Sequence, residues 1–454
     1  MAVDARQLKL NGQLIEPGDD DYDRERRLYN AMFDKRPALI ARCAEVADVV
    51  SAVNFARTNG LATAIRCGGH NGAGLGSIDG GLVIDLAGLK GVSVDPDSKL
   101  ARVAGGSLFG EIDTATHEFG LATPGGIIST TGAGGLVLGG GIGHLTRKYG
   151  LSIDNLVAAE VVLADGSVVV ADEQHNDDLL WALRGGGGNF GVVTSMTLRL
   201  HPVSTVVGGP MFWPIEHARE LLRWYLEWRP STPDDLNSFF LFHSVPPAPP
   251  FPEELWLQKV CGIAACWLGP ADEADTILAE ARSQPGLALD AVGPTPFPAL
   301  QSAFDPIYPA GDQWYWRADF FDSVPDEAVD INAEWGERLP TWKSLMHLYT
   351  IDGAPHALGP TDTAWAYRDA HYAQVMCGVD PDPANADALR SWAVGYWDGV
   401  HPYSAGGAYV NFMMDEGQER VQATYGPNYE RLAQIKRTYD PDNFFHVNQN
   451  IRPA

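Results

Sequence analysis

Residues 66–86 read RCGGHNGAGLGSIDGGLVIDL. Seven glycines, one histidine and one asparagine sit beside an abrupt apolar run, Leu82-Val83-Ile84. Glycine at this density lets backbone amides crowd together and accepts positive φ at no steric cost. Concave sets of N–H groups of this kind bind anions, typically the phosphates of a nucleotide. His70 stands in the middle of the loop, where its side chain is expected to project toward whatever the amides hold. A lone histidine there would more simply cap a turn. A second glycine stretch, GGIISTTGAGGLVLGGGIG at 125–143, carries no acidic or basic side chain. Any ligand it shares with the first is therefore expected to be held by backbone and by hydroxyls, without ion pairs.

Working outward, the 454 residues exceed one ordinary domain, and two packed domains sharing a discontinuous boundary are expected. Hydrophobic content of 45% and charged content of 20% are globular values. The formal net charge is −26, from 58 acidic and 32 basic residues, and no basic run occurs. That excludes nucleic acid and an anionic membrane surface as partners, because both require clustered Lys and Arg. Five scattered cysteines without C-x-x-C spacing indicate neither a disulfide framework nor a zinc site. The first residues contain no apolar signal region, and no run of about 18 apolar residues occurs. A cytoplasmic location is the default expectation, as a monomer or homodimer.

Along the chain, 37–41 reads as a strand and 44–56 as an amphipathic helix closed by Gly60. A strand then leads into the His70 loop. Residues 92–96 and 100–106 form a strand–turn–strand pattern with Pro96-Asp97 at the turn, and 108–119 a helix ending at Gly120. The segment from 150 predicts two strands joined by Asp165-Gly166, a hairpin signal. After a short helix at 177–184, Gly186, Gly188 and Gly191 satisfy G-x-G-x-x-G. The context is backward, however: the dinucleotide fingerprint needs a strand before and a helix after. A nicotinamide site is rejected on that ground.

After His201-Pro202 the composition shifts to apolar and aromatic strands, at 239–243, 255–267, 314–321 and 345–351, separated by acidic helices at 272–282 and 326–339. This predicts an antiparallel sheet covered by helices, with a few of its aromatics lining a pocket. PPAPPFP at 246–252 reads as a stiff surface loop. At the end of the chain, YVNF (409–412) precedes YDPDNFFHVNQNI (439–451). Tyr409 and Asn411 are read as sharing one face of a strand.

Together the two glycine stretches and the tail resemble the berberine-bridge-enzyme-like branch of the vanillyl-alcohol oxidase superfamily. The resemblance covers nearly the whole chain and is weakest from about 205 to 400. It implies an α+β fold: a PCMH-type FAD-binding domain at 1–204, a substrate domain at 205–404, and a segment at 405–454 returning to the FAD domain. It also implies FAD attached covalently, through His70, at the C8 methyl of the flavin. The flavin would be bound by Arg66, Cys67, Gly68, Gly69, Asn71, Gly72, Leu75 and Gly76, and by Ser129, Thr130, Thr131, Gly134, Gly135, Gly139, Gly141 and Ile142. Val192 and Val193 would lie at the adenine side; Tyr409, Asn411, Asn448 and Asn450 would come from the tail. Relatives with two covalent links place a cysteine where this chain has Ile128, so a single histidyl link is expected. Thr131 stands where the family usually has a small apolar residue thought to influence oxygen access, which leaves oxidase and dehydrogenase behaviour both open. Many plant members have a tyrosine, in some the catalytic base, where this chain has Phe412.

The resemblance thus implies a flavoprotein oxidase that oxidises a CH–OH or CH–NH carbon of a small molecule and is reoxidised by molecular oxygen. Tyr409 is the candidate base, equally readable as a hydroxyl bonded to its neighbours. The alternatives are a dehydrogenase with another acceptor, and a non-redox flavoprotein that binds or cyclises an intermediate.

Overall fold

The strand Leu82–Asp85, which follows the His70 loop, pairs in parallel with Leu39–Arg42 on one side and Thr63–Arg66 on the other. The description rests on a computed structural model and covers residues 4–454. The helix Val46–Asn59 makes the crossover, burying Val49, Ala52, Val53 and Ala56 at the spacing of one helical face. Gly60 ends it in the left-handed conformation (φ 62°). Gln13–Ile15 completes this four-stranded sheet at its edge. A five-stranded antiparallel sheet follows, in the order Val92–Asp95, Leu100–Ala104, Val192–Arg199, Leu156–Val162, Val168–Ala171. The expected hairpin at Asp165-Gly166 is present, with Ala159 opposite Ala171.

The later strands build one antiparallel sheet of eight, as its composition implies. Thr205–Pro214, Lys259–Trp267, Leu236–Ser244, Leu345–Thr350, Tyr372–Asp380 and Gln313–Phe321 lie side by side in that order. Leu289–Asp290 and Gly293–Pro296 pair with the outermost of them. Helices Ala218–Trp228, Ala274–Arg282, Asp326–Glu337 and Ala386–Val400 cover one face; the α+β expectation holds. Alternation is strict. Phe240, Phe242, Met346, Leu348 and Met376 pack under the helices, whereas Phe239, Leu241, Leu345, Tyr349, Val375 and Cys377 face the glycine-rich half. With both faces covered, strand Leu236–Ser244 is buried along its whole length, and its middle, 239–242, is apolar without alternation.

Two sequence expectations change here. The strand predicted from residue 255 begins only at Lys259, because Leu257 adopts positive φ (62°) after a short 3-10 turn at Glu253–Leu255. Tyr409 and Asn411 do not lie on a strand. Val410–Phe412 is a single 3-10 turn with Tyr409 at its N-cap, so period-two parity does not apply.

The chain's end packs back on the glycine-rich half. Asn189 accepts from the Ile451 N–H at 2.9 Å and donates to the Gln449 carbonyl at 3.2 Å. The five cysteines are free. Among the described residues no helix is long and apolar enough to cross a membrane.

Candidate active site

The two glycine stretches meet backbone against backbone beneath His70. A Cβ on Gly68 would come within 2.5 Å of the Gly132 nitrogen, and one on Gly132 would strike the Gly68 nitrogen. Only glycine permits this approach, and Gly69 adds a left-handed φ of 71°. Arg66 and the buried Asp85, the ends of parallel-paired strands, form an ion pair at 2.8 Å that fixes the loop's entry. Asn71 accepts from the Leu75 N–H at 3.1 Å and closes the turn after His70.

The His70 ring stacks on Tyr29, centroids 3.8 Å apart. Thr130 Oγ1 lies 3.0 Å from its Nε2 and Thr131 Oγ1 3.5 Å from its Nδ1. Desolvation lowers its pKa to about 4, so the imidazole is neutral and keeps a lone pair at neutral pH.

A cavity of about 320 Å³ runs from these loops to the aromatic face of the large sheet. His70 borders it, with Arg66, Cys67, Gly68, Gly69, Asn71, Leu75, Gly76, Thr131, Gly134, Gly135, Ile142, Val193, Tyr409, Asn411 and Asn448. The remaining expected residues lie behind this wall. Ser129 is turned away: its N–H and hydroxyl both donate to Asp305, the former at 2.9 Å. Thr130 touches His70 instead of the cavity. Gly72 backs onto the Trp316 ring, Gly139 onto the Asn411 amide, and Gly141 onto Ser152. The Val192 side chain is fully buried in the core against the four-stranded sheet, and strand alternation puts only the Val193 side chain on the cavity. Asn450 donates through its amide to Asn443 at 3.2 Å, and its Oδ1 is buried without a protein partner.

Tyr409 is buried, and its hydroxyl accepts from the Gly141 N–H and from Asn411 Nδ2, each at 2.7 Å. Burial pushes its pKa up to about 12, against those hydrogen bonds, which favour the phenolate. Sequence reasoning did not single out the opposite wall, formed by Phe304, Tyr308, Trp314, Trp316, His347 and Tyr349. Nor did it find Tyr29 or Gln449. Parity within each strand was available as a signal, but not which face meets the cavity.

The lining residues suit a large uncharged-ring and phosphate ligand. Gly135, Gly187 and Gly188 border the cavity, and a Cβ on any of them would enter open space, so the room there exists because side chains are missing. Asn448 Oδ1 and Arg66 Nη1 are buried without protein partners. Both are free to meet ligand atoms.

Comparison with known proteins agrees. Residues 37–172 match the FAD binding domain family model, and residues 408–452 match the model described as berberine and berberine like. The chain is 32% identical over 456 residues to the FAD-linked oxidoreductase YgaK of Bacillus subtilis (strain 168), covering 98% of each chain. It is 29% identical to the (R)-6-hydroxynicotine oxidase of Paenarthrobacter nicotinovorans, covering 99% of this chain and 98% of that one. The crystal structure of 6-hydroxy-D-nicotine oxidase from Arthrobacter nicotinovorans superposes with a TM-score of 0.89 at 26% identity, over 99% of this chain and 100% of the other. From the glycine loops, the returning tail and this full-length similarity, the chain belongs to the berberine bridge enzyme-like FAD-linked oxidoreductases of the PCMH-type, vanillyl-alcohol oxidase superfamily.

Proposed function

We propose that this enzyme oxidises a CH–OH or CH–NH carbon of a small molecule, with FAD held through one covalent bond to His70 and molecular oxygen as the final acceptor. The observation that carries the reading is the neutral, stacked His70 at the wall of a cavity that joins both glycine stretches to an aromatic roof. Bound FAD supplies a two-electron acceptor for hydride. The protein contributes position and electrostatics. Arg66, the glycine amides around Gly68 and Gly134, and Asn448 would hold the cofactor, and His70 would tether it. Among the described residues lining the cavity there is no aspartate, glutamate or lysine. The roof thus offers an uncharged surface to the substrate and sheds water. Anaerobic titration tests the reading: a substrate must bleach flavin absorbance and, once air is admitted, release hydrogen peroxide. Bleaching without peroxide would favour the dehydrogenase alternative.

Ile128 lines the cavity where a second, cysteinyl link would originate. Proteolytic mapping is therefore expected to find flavin on one peptide, the one containing His70. Flavin on a peptide that carries only Cys43, Cys261, Cys266 or Cys377 would contradict the single-link reading.

For Tyr409 the reading moves from base to a hydroxyl held in place as a hydrogen-bond acceptor. Its two lone-pair directions are occupied by N–H donors, and its raised pKa keeps the proton on at neutral pH. Tyr409→Phe is expected to slow anaerobic reduction by less than about 10-fold. A lost general base would cost roughly 10²–10⁴-fold. A loss in that higher range would return the base to Tyr409.

A further inference from the structure

The wall opposite the glycine loops contains a histidine that nothing above uses. His347 lies on strand Leu345–Thr350 with the parity of Leu345 and Tyr349, so it faces the cavity, and it is 2% exposed. Its Nδ1 lies 2.9 Å from the Tyr349 hydroxyl. Its Nε2 is buried and has no protein partner. A buried ring nitrogen without a partner is unfavourable, and a bound ligand can supply one.

Two other buried histidines adjoin this face. His243 is fully engaged, with Nδ1 3.0 Å from the Ser244 carbonyl and Nε2 bonded to the Tyr308 hydroxyl. His144 has neither nitrogen bonded but does not border the cavity. Among the described residues, His347 alone of these three joins a free nitrogen to the cavity wall. The rest of that wall is ring-shaped and uncharged, with the indole N–H groups of Trp314 and Trp316 also buried and unpaired. A sugar would bring many hydroxyls to a wall offering three nitrogens, and each unmatched hydroxyl would lose its water.

We propose that His347, oriented by Tyr349, takes the proton from the substrate's hydroxyl, and that the substrate carries this hydroxyl on an uncharged aromatic framework. The inference rests on the flavin-oxidoreductase reading above. With the Nδ1 proton donated to Tyr349, Nε2 holds the lone pair. Oxidation of CH–OH to C=O breaks two bonds to hydrogen. The C–H hydrogen leaves with both bonding electrons as hydride, to the two-electron acceptor that FAD provides. The O–H hydrogen leaves as a proton, forming the Nε2–H bond, while the O–H electron pair becomes the second C–O bond. Burial keeps the ring neutral before reaction and by the same effect makes it a weak base, so the proton moves to Nε2 together with hydride loss, not ahead of it. His347 is the catalytic residue in this scheme and Tyr349 its positioning residue.

The test uses the flavin-replete enzyme with benzyl alcohol, toluene and cellobiose, read by equilibrium changes in the flavin spectrum and by anaerobic reduction. Benzyl alcohol and toluene are expected to perturb the spectrum, benzyl alcohol alone to reduce the flavin, and cellobiose to do neither. His347→Gln, which keeps a hydrogen-bond acceptor, is expected to leave benzyl alcohol binding unchanged while reduction slows roughly 10²–10⁴-fold. Added imidazole should restore part of the rate in His347→Ala, which a purely structural role would not allow. Should neither variant fold, Tyr349→Phe carries the test, with reduction slowed roughly 10-fold, the rate equivalent of one hydrogen bond, and binding unchanged. Wild-type reduction rates in these variants, or cellobiose acting in place of benzyl alcohol, overturn the inference. So does a flavin-replete enzyme that binds neither aromatic probe. Purified protein without flavin would instead overturn the oxidoreductase reading itself.

Discussion

Replacing His70 with alanine is expected to move all flavin from the acid-precipitated polypeptide to the supernatant, whereas wild-type precipitate stays yellow. The proposed covalent bond needs an imidazole lone pair beside the cofactor's C8 methyl, and no other described nucleophile shares His70's setting. Its ring is stacked on Tyr29 and touched by Thr130 and Thr131, which leaves little rotational freedom. Its pKa of about 4 keeps it neutral at any pH where the protein would normally be handled. The neighbouring thiol cannot substitute, because burial pushes the Cys67 pKa up to about 11 and holds it as the unreactive thiol. Binding itself should survive. The crowded amides around Gly68, Gly132 and Gly134 do not depend on the imidazole, so native His70→Ala should still purify yellow. Flavin retained on denatured His70→Ala would place the link on another residue.

The second large effect concerns stability. Asp440→Ala is expected to destabilise the fold by about 3–5 kcal/mol, the range for removing one partner of a buried ion pair. Lys436 and Asp440 are both fully buried and pair at 2.6 Å. Lys436 also donates to the Phe445 carbonyl at 2.9 Å and to that of Asn189, while Asp440 accepts from the N–H groups of Phe444 and Phe445. Without the carboxylate, a buried ammonium and two N–H groups lose their counterpart. This knot sits immediately before Asn448 and Gln449, which line the cavity. Urea unfolding should therefore show a lower midpoint, with weaker retention of flavin in the corresponding His70→Ala background. Pairing Lys436→Met with Asp440→Leu should recover part of the loss, since both charges are then gone. A change below about 1 kcal/mol for Asp440→Ala would mean that the tail is held by packing alone.

How far the sequence carried the reading depends on whether local chemistry or long-range packing set the feature. The two glycine stretches were legible because backbone-to-backbone contact, as between Gly68 and Gly132, admits no other residue and so writes itself into composition. The Asp165-Gly166 hairpin and the helix closed by Gly60 were legible for the same reason: a special φ demands a special residue. The G-x-G-x-x-G at 186–191 could be set aside because its flanking elements are also local. The tail's importance was legible as a pattern, but the shape of 409–412 was not. Spacing two apart suits a strand, and only contact with Gly141 and Leu136 bends the segment into a turn that aims the Tyr409 hydroxyl back at the glycine loop.

The roof was beyond sequence for a different reason. A sheet buried on both faces is apolar on both, so alternation along 236–244 or 345–350 cannot say which side meets helices and which meets the cavity. Phe239 and Phe240 are the same residue type, yet one faces the glycine-rich half and the other the helices. The same ambiguity hid His347, one polar residue in an apolar run with nothing local to mark it. By itself, then, the sequence determined the paired glycine loops, the place of His70 between them and the chain's return to them, because those rest on conformations few residues permit. Tertiary structure alone decided which aromatic face closes the cavity, that Ser129 answers to Asp305 and Val192 to the core, and which histidine keeps a free nitrogen at the wall. Those outcomes depend on what lies across the fold, and no residue carries that information in its neighbours.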